Sequence, residues 1–327
     1  MADPAGRHVL VTAGGGFLGS YVVTLLAEAG ARVCSIDTAP TWREPMADLV
    51  GRGTVRQIIT PWWQDPARLA GELGPVDDLL HLGYVPGRGT PLERARAEVE
   101  VNLAATLALV QALRPARVVF ASTAHVYGPN PNLPFAESEP LRPVEPYAGA
   151  KAAAEVQLGF AARAGEFALT ILRLATLFGP METVPRAVPN YIRAGLARRP
   201  GQIRGDGRER SDYLYVEDAA TAVTAALARH RCGEEEPVRI YNVSTGTGTA
   251  TRDIATLVAD AVAQATPQLG PVPEPEFVSG QRRPDLMLDP ALTRSDLGWS
   301  AQVGLRDGIA REVQWFLTRP DLAPLSS

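Results

Sequence analysis

Tyr147 and Lys151 stand four residues apart, a spacing that on a helix puts a phenol and an ammonium on one face, a turn from each other. Such a pair reads as an acid–base couple: the nearby ammonium favours phenolate, draws the tyrosine down from its usual value near ~10, and lets it take a proton from a hydroxyl. Among 32 Lys and Arg residues Lys151 is the only lysine. Wherever a positive charge merely solvates a surface, arginine has been used, so this position keeps a compact ammonium whose pKa adjusts readily. The plain alternative is an exposed helical pair kept by chance. Ser122 and Thr123 lie at the end of an apolar run, 117–122. There, at the C-terminal edge of a sheet, a hydroxyl faces the cleft and can bridge a substrate oxygen to Tyr147. Read alone, Thr123 is a turn residue; its company gives it weight.

A second group of residues points to a dinucleotide. Gly14, Gly16 and Gly19 fall in the pattern Gly-x-Gly-x-x-Gly between an apolar run at 7–13 and a helical pattern at 17–29 that opens with Phe17 and Leu18. Glycines there let the backbone approach a pyrophosphate held at a helix N-terminus. Asp37 ends the next apolar run, 31–37, where a carboxylate accepts hydrogen bonds from an adenosine ribose diol and repels a 2′-phosphate. NAD is therefore favoured over NADP, with Arg43 keeping NADP as an alternative. Taken singly, these residues are a tight turn and an incidental acid.

Positioning these groups requires a particular frame. Apolar runs at 54–59, 77–82, 117–122, 168–174 and 238–243 alternate with helical patterns, notably 91–113 and 147–164. Such alternation predicts an α/β fold, a doubly wound parallel sheet covered by helices on both faces. After Gly179 and Pro180 the character changes: helices at 186–198 and 251–265 are separated by a Gly/Arg-rich stretch and followed by a Pro-rich one at 267–275. These pieces predict a smaller second domain, interleaved because 213–228 and 238–243 return to the sheet, with a substrate cleft between the two. No internal repeat is visible.

Composition narrows the class. With 46% hydrophobic, 21% charged and 6% aromatic residues in 327, the chain reads as a globular protein rather than a fibre or a disordered segment. Cys34 and Cys232 cannot build a disulfide framework, and four scattered histidines give no metal-ligand spacing, so no metal is expected. A net charge of −4 spread along the chain argues against nucleic-acid or membrane-surface partners. No basic leader or run of ~20 apolar residues is present, and a cytoplasmic location is expected.

The chain resembles an extended short-chain dehydrogenase/reductase of the nucleotide-sugar epimerase/dehydratase family, the family of UDP-glucose 4-epimerase. The resemblance covers nearly the whole chain. It rests on Thr12 with the glycine turn to Gly19, Asp77 to Gly83 including His81 and Leu82, Asn102, Ser122 to Gly128, Tyr147 with Lys151, the stretch 173–180, Gly205, Asp206 and Gly207 through Arg210, Val216 to Asp218, and Leu297 to Trp299. It implies a Rossmann domain at 1–178 and 212–246 and a nucleotide-sugar domain at 179–211 and 247–327. It also implies a catalytic Thr123, Tyr147 and Lys151, with Lys151 bonding the nicotinamide ribose. Cofactor contacts would come from Gly14, Gly16, Phe17, Leu18, Gly19, Asp37, Leu82, Gly83, Asn102, Ser122, Tyr147 and Lys151. Arg210 and either Arg282 or Arg283 would grip the diphosphate of a nucleotide sugar, and Tyr84, Thr123, His125 and Thr176 would line its sugar. The helices carrying Asn102 and Tyr147 resemble the pair through which family members form homodimers.

Several residues depart from the family pattern. Ala13 replaces the first fingerprint glycine, and Trp62 stands where an aspartate often meets adenine. Gly83 and Tyr84 replace small residues, and Thr176 replaces a frequent asparagine. Ala124 and His125 occupy the place of the aspartate–glutamate pair of the dehydratases. Histidine titrates near neutrality and can carry protons there, although a lone histidine is more often a packing residue. The leading expectation is a nucleotide-sugar 4-epimerase with recycled NAD. The rivals are a 4-ketosugar reductase consuming external cofactor, a dehydratase or C5 epimerase with His125 as acid–base, and a nonenzymatic NAD-sensing protein.

Overall fold

The computed structural model describes residues 4–229, 235–280 and 282–322; Cys232 lies outside them. Strands and helices alternate from the start: β1 (His8–Thr12), α1 (Phe17–Glu28), β2 (Arg32–Asp37), α2 (Met46–Gly51), β3 (Arg56–Ile59), α3 (Pro66–Leu73), β4 (Asp78–His81), α4 (Pro91–Ala97), α5 (Ala105–Leu113), β5 (Arg117–Thr123), α6 (Pro146–Arg163) and β6 (Ala168–Leu174). Then follow β7 (Thr176–Phe178), α7 (Ala187–Leu196), β8 (Gln202–Arg204), β9 (Arg210–Tyr215), α8 (Val216–Arg229), β10 (Val238–Val243), β11 (Gly248–Ala250), α9 (Thr251–Ala265), β12 (Glu276–Val278), α10 (Ala291–Leu297) and α11 (Leu305–Thr318).

Seven parallel strands form the main sheet in the order β10-β6-β5-β4-β1-β2-β3. Alternation along β1 explains the layers: Val9 and Val11 face a core shared with α1 and α8, while Leu10 faces a core shared with α3, α5 and α6. With both faces covered, the strands read as unbroken apolar runs, and the doubly wound α/β fold is as expected. Strand order reverses between β1 and β4, and in open sheets the crevice beyond the strand ends at that point receives ligands.

A third core, that of a second and smaller body, joins Phe178, Ile192, Tyr215, Val258 and Phe316. Around it lie the three-stranded sheet β11-β9-β7 and the pair β12-β8. The interleaving is plain, since β9 runs straight into α8. Two segments pack away from their neighbours in the chain. Thr176–Phe178 leaves the main sheet to pair with β9, and Leu286, Leu288 and Trp299 are buried in the core of α1 and α8 rather than with the second body. The helix expected at 91–113 is interrupted by a π-helical turn, Glu98–Ala104, which carries Glu98 and Asn102 inward together. Among the described residues no helix is long and apolar enough to cross a membrane.

Candidate active site

The glycine turn closes over β1 with little room to spare. A Cβ on Gly19 would lie 2.1 Å from the Ala13 carbonyl oxygen, and one on Gly14 would lie 2.3 Å from Ser35 Oγ. Ala13 itself takes a left-handed φ of 54°, so the turn that the family pattern gives to glycine is made here by alanine at some backbone cost. No side chain caps the N-terminus of α1 at Phe17, Leu18 and Gly19, leaving its dipole for an anion. Asp37 is buried at the end of β2 and accepts from Gly15 N at 2.8 Å, Gln57 Nε2 at 2.7 Å and Ser35 Oγ at 2.5 Å. A carboxylate has about four lone-pair sites, so Asp37 still fits a ribose hydroxyl. Arg43 donates to the Gly15 carbonyl at 3.1 Å and lies over the Trp42 ring. Trp62 is buried edge-on to His81 and packs as core rather than facing an adenine.

On the other side of the crevice, Thr12 Oγ1 bonds His81 Nδ1 at 2.9 Å and accepts from Gly83 N at 2.9 Å. Burial pushes His81 down to about 3, so the imidazole is neutral. A Cβ on Gly83 would sit 2.9 Å from Thr12 Oγ1, which is why the chain after β4, past Leu82, carries glycine there. Asn102 uses its amide on the same loop, accepting from Val85 N and donating to the Val85 carbonyl and to Glu98. It shapes the loop rather than offering a free amide.

Tyr147 enters at the first turn of α6, with Lys151 one turn further on. Lys151 is buried, donates to the Ala121 carbonyl at 2.7 Å, and lies 4.6 Å from the Phe120 ring centroid. Burial pushes it down to about 8, against the pull of Glu155 and Glu98. The expected lowering of Tyr147 does not hold in the free protein. Burial raises the phenol, and the opposing influences are the Thr123 hydroxyl and the charge of Arg186 rather than Lys151. Desolvation outweighs an ammonium whose nearest acceptor is a strand carbonyl. The strand-end hydroxyls divide: Ser122 donates to the buried Glu155, so its side chain leaves the cleft, whereas Thr123 meets Tyr147. Tyr84 packs edge-on against Tyr147 with ring centroids 4.6 Å apart, and its hydroxyl donates to Glu98 Oε1 at 2.5 Å. It therefore braces Tyr147. His125 lies with its ring centroid 6.4 Å from that of Tyr147 and its Nδ1 2.8 Å from Glu145 Oε1.

Toward the second body, Arg210 and Arg282 share Asp285, at 3.8 and 3.3 Å. Arg283 is the one whose charge bears on Glu145 and Tyr213, which separates two neighbours that sequence left equal. Thr176 opens β7 opposite Tyr213. The sequence reading missed Glu98, Glu145, Glu155 and Arg186. Glu98 and Glu155 carried a usable signal, each lying four residues from Asn102 or Lys151 on a helical path. Arg186 had none among so many arginines.

The family model for the NAD dependent epimerase/dehydratase family matches residues 9–244. A UDP-glucose 4-epimerase of Mycolicibacterium smegmatis is 31% identical, over 94% of this chain and 98% of that one. A dTDP-D-glucose 4,6-dehydratase of Mus musculus is 26% identical, over 95% and 88%. Among solved structures, the Thermus thermophilus UDP-glucose 4-epimerase complex with NAD is 29% identical and superposes with a TM-score of 0.81, covering 96% of this chain and 100% of that one. The glycine turn, the Asp37 carboxylate and the Tyr147–Lys151 helix thus sit in a chain that belongs to the NAD-dependent epimerase/dehydratase family.

Proposed function

We propose that the protein is a nucleotide-sugar 4-epimerase that keeps and recycles NAD. The observation that carries this reading is Thr123 and Tyr147 meeting at the end of β5 with Lys151 buried a turn behind, while the next residue, Ala124, is a buried methyl with no proton to give. A dehydratase needs an acid to expel water; Ala124 cannot supply one.

In this reading the glycine turn and α1 hold the pyrophosphate, Asp37 holds the adenosine ribose and disfavours a 2′-phosphate, and Lys151 turns its remaining N–H donors to the nicotinamide ribose. When bound, the nicotinamide supplies a reversible hydride acceptor and a positive charge that opposes the burial of Tyr147. Tyr147 takes the proton of the sugar 4-hydroxyl, Thr123 holds the same oxygen, and Tyr147 later returns the proton once the ketone has presented its other face. Arg283 with Arg210 grips the diphosphate.

We also infer a homodimer. Leu92, Val99, Val156 and Phe160 expose 80, 54, 47 and 63% of their surface on α4, the π-helical turn and α6, a cluster suited to burial against a second copy.

The test incubates purified protein with UDP-, dTDP- and GDP-sugars and no added cofactor, followed by mass spectrometry and NMR. A product of unchanged mass inverted at C4 supports the reading. Loss of one water favours a dehydratase, and turnover of 4-ketosugars that requires added NADH or NADPH favours a reductase. Full activity in Tyr147→Phe would sink the mechanism.

A further inference from the structure

Glu98 opens the π-helical turn between α4 and α5, and such turns are rare and collect at functional sites. Its side chain is buried, yet its bonds come from neutral donors: the Tyr84 hydroxyl at 2.5 Å and Gly87 N at 3.5 Å on Oε1, and Asn102 Nδ2 at 2.7 Å on Oε2. A carboxylate taken out of water is costly unless a cation answers it. The cation on which its charge acts is Lys151, which burial pushes down and which Glu155 and then Glu98 hold up. Glu155 is itself clasped by Arg173 at 2.7 Å, whereas the bonds of Glu98 bring it no positive charge. The same carboxylate reaches Tyr147 through one intermediary. Tyr84 belongs to no helix or strand, so its bond to Glu98 fixes where its ring stands, edge-on to Tyr147 with centroids 4.6 Å apart and planes at 71°, as such pairs prefer. The other titratable groups around the pair are Arg186 and Glu145 by charge on Tyr147, His125 with its ring centroid 6.4 Å from that of Tyr147, Glu155 on the helix of Lys151, and His81, which burial keeps neutral.

We propose that Glu98 is a positioning residue for the catalytic pair: it fixes the Tyr147 ring through Tyr84 and sets a negative charge beside the pair. The proposal rests on Tyr147 and Lys151 acting as argued above. A negative charge favours the protonated form of both groups, so Glu98 raises Lys151 and Tyr147 together. Turnover needs a Tyr147 that gives up its proton and a Lys151 that keeps its own. Activity is thus confined between two titrations, and Glu98 sets where on the pH scale that window lies. Removing the charge moves both limbs toward acid, whereas a loss of packing alone lowers the window and leaves it in place.

The test uses the sole lysine of the chain: growth on lysine labelled with carbon-13 at Cε gives the full-length protein one NMR signal, that of Lys151. The signal should titrate about one pH unit lower in Glu98→Gln than in the wild type, and both limbs of the kcat profile for nucleotide-sugar turnover should move toward acid by a similar amount. Tyr84→Phe keeps the charge and the ring but drops the tether. Its Lys151 signal and pH window should match the wild type, while kcat falls about tenfold at unchanged KM. Glu98→Asp, which keeps the charge and shortens the reach to Tyr84, should restore the wild-type titration but not kcat. An unmoved Lys151 signal in Glu98→Gln, or a kcat profile lowered without displacement, would overturn the proposal and leave the 4-epimerase reading standing. Full kcat in Tyr84→Phe would remove the tether from it. A displaced Lys151 signal in a protein that turns over no nucleotide sugar would keep Glu98 as the charge beside the pair and overturn the reading of the reaction instead.

Discussion

Lys151→Met should yield a protein that is more stable than the wild type and inactive. Lys151 is 4% exposed, and burial brings it from 10.5 to about 8. At about 1.4 kcal/mol for each tenfold change in proton affinity, that gap means that holding the ammonium charged inside the fold near pH 7 costs about 3 kcal/mol. Methionine keeps the apolar stem and drops the charge. It also strips the Ala121 carbonyl of its donor, a loss of about 1 kcal/mol, so the expected net gain is about 2 kcal/mol. The sign with pH follows from the depressed folded value. Between about 8 and 10.5 the unfolded chain binds the extra proton, so the wild type gains stability on this group as pH rises, and the advantage of the variant shrinks by about 2 kcal/mol between pH 7 and 9.5. Urea unfolding of both proteins at the two pH values measures this directly. Turnover of nucleotide sugar should fall at least about 100-fold. A variant less stable than wild type near pH 7, or a gain that does not change with pH, would refute the claim that the fold bears a cost to keep this charge.

Three further outcomes follow from the same geometry. Asp37→Asn should lower the preference for NAD over NADP by about 10- to 100-fold in the ratio of Kd values from calorimetry, because the repulsion of a 2′-phosphate is gone. Asp78 has no exposed surface and binds Arg7 and Arg117 at 2.6 to 2.9 Å; Asp78→Asn should cost about 3 to 5 kcal/mol in urea unfolding by taking the carboxylate charge away from the buried Arg117 guanidinium. Burial raises Asp78, but the bonds and charges of Arg117 and Arg7 outweigh it and depress the carboxyl, so its contribution is present above about pH 4 and is lost as pH falls through the folded value. Phe160→Glu, on the exposed side of α6, should convert a dimer to a monomer by light scattering, and an unchanged mass would place any interface elsewhere.

What the sequence made legible was whatever chain period alone dictates. The glycine turn, Asp37 at the end of β2, and the placing of Tyr147 and Lys151 one turn apart on α6 all follow from local geometry, and each is found where the spacing put it. Through-space quantities were not legible. The direction of the Tyr147 shift depends on how much burial exceeds charge, which four residues of spacing do not reveal. Glu145 meets His125 because the turn after β5 and the start of α6 converge, and neither residue carries a sign of the other. The passage of Leu286, Leu288 and Trp299 back to the first core was hidden for a similar reason, since Leu286 and Leu288 alternate over only three residues and make isolated bridges to Ser211 and Phe135, far off in the chain.

The separation of Ser122 from Thr123 shows how the frame fixes the chemistry. Successive side chains on a strand point to opposite faces, so β5 can give one hydroxyl to a supporting network and the next to the cleft. The network is extensive: Ser122 donates to Glu155, Arg173 clasps Glu155 at 2.7 Å and donates to the Tyr127 hydroxyl at 2.8 Å, and Tyr127 donates to Asn242 at 2.7 Å. It spans β5, α6, β6 and β10, all within the buried interior, where an unpaired partner is costly. Because β5 pairs with β6 at Ser122↔Arg173 and Thr123↔Leu174, a slip of one residue would carry Thr123 into the network and turn Ser122 toward Tyr147. The same contacts that stabilise the sheet thereby decide which hydroxyl reaches the substrate, and through Glu155 they also hold up the charge on Lys151.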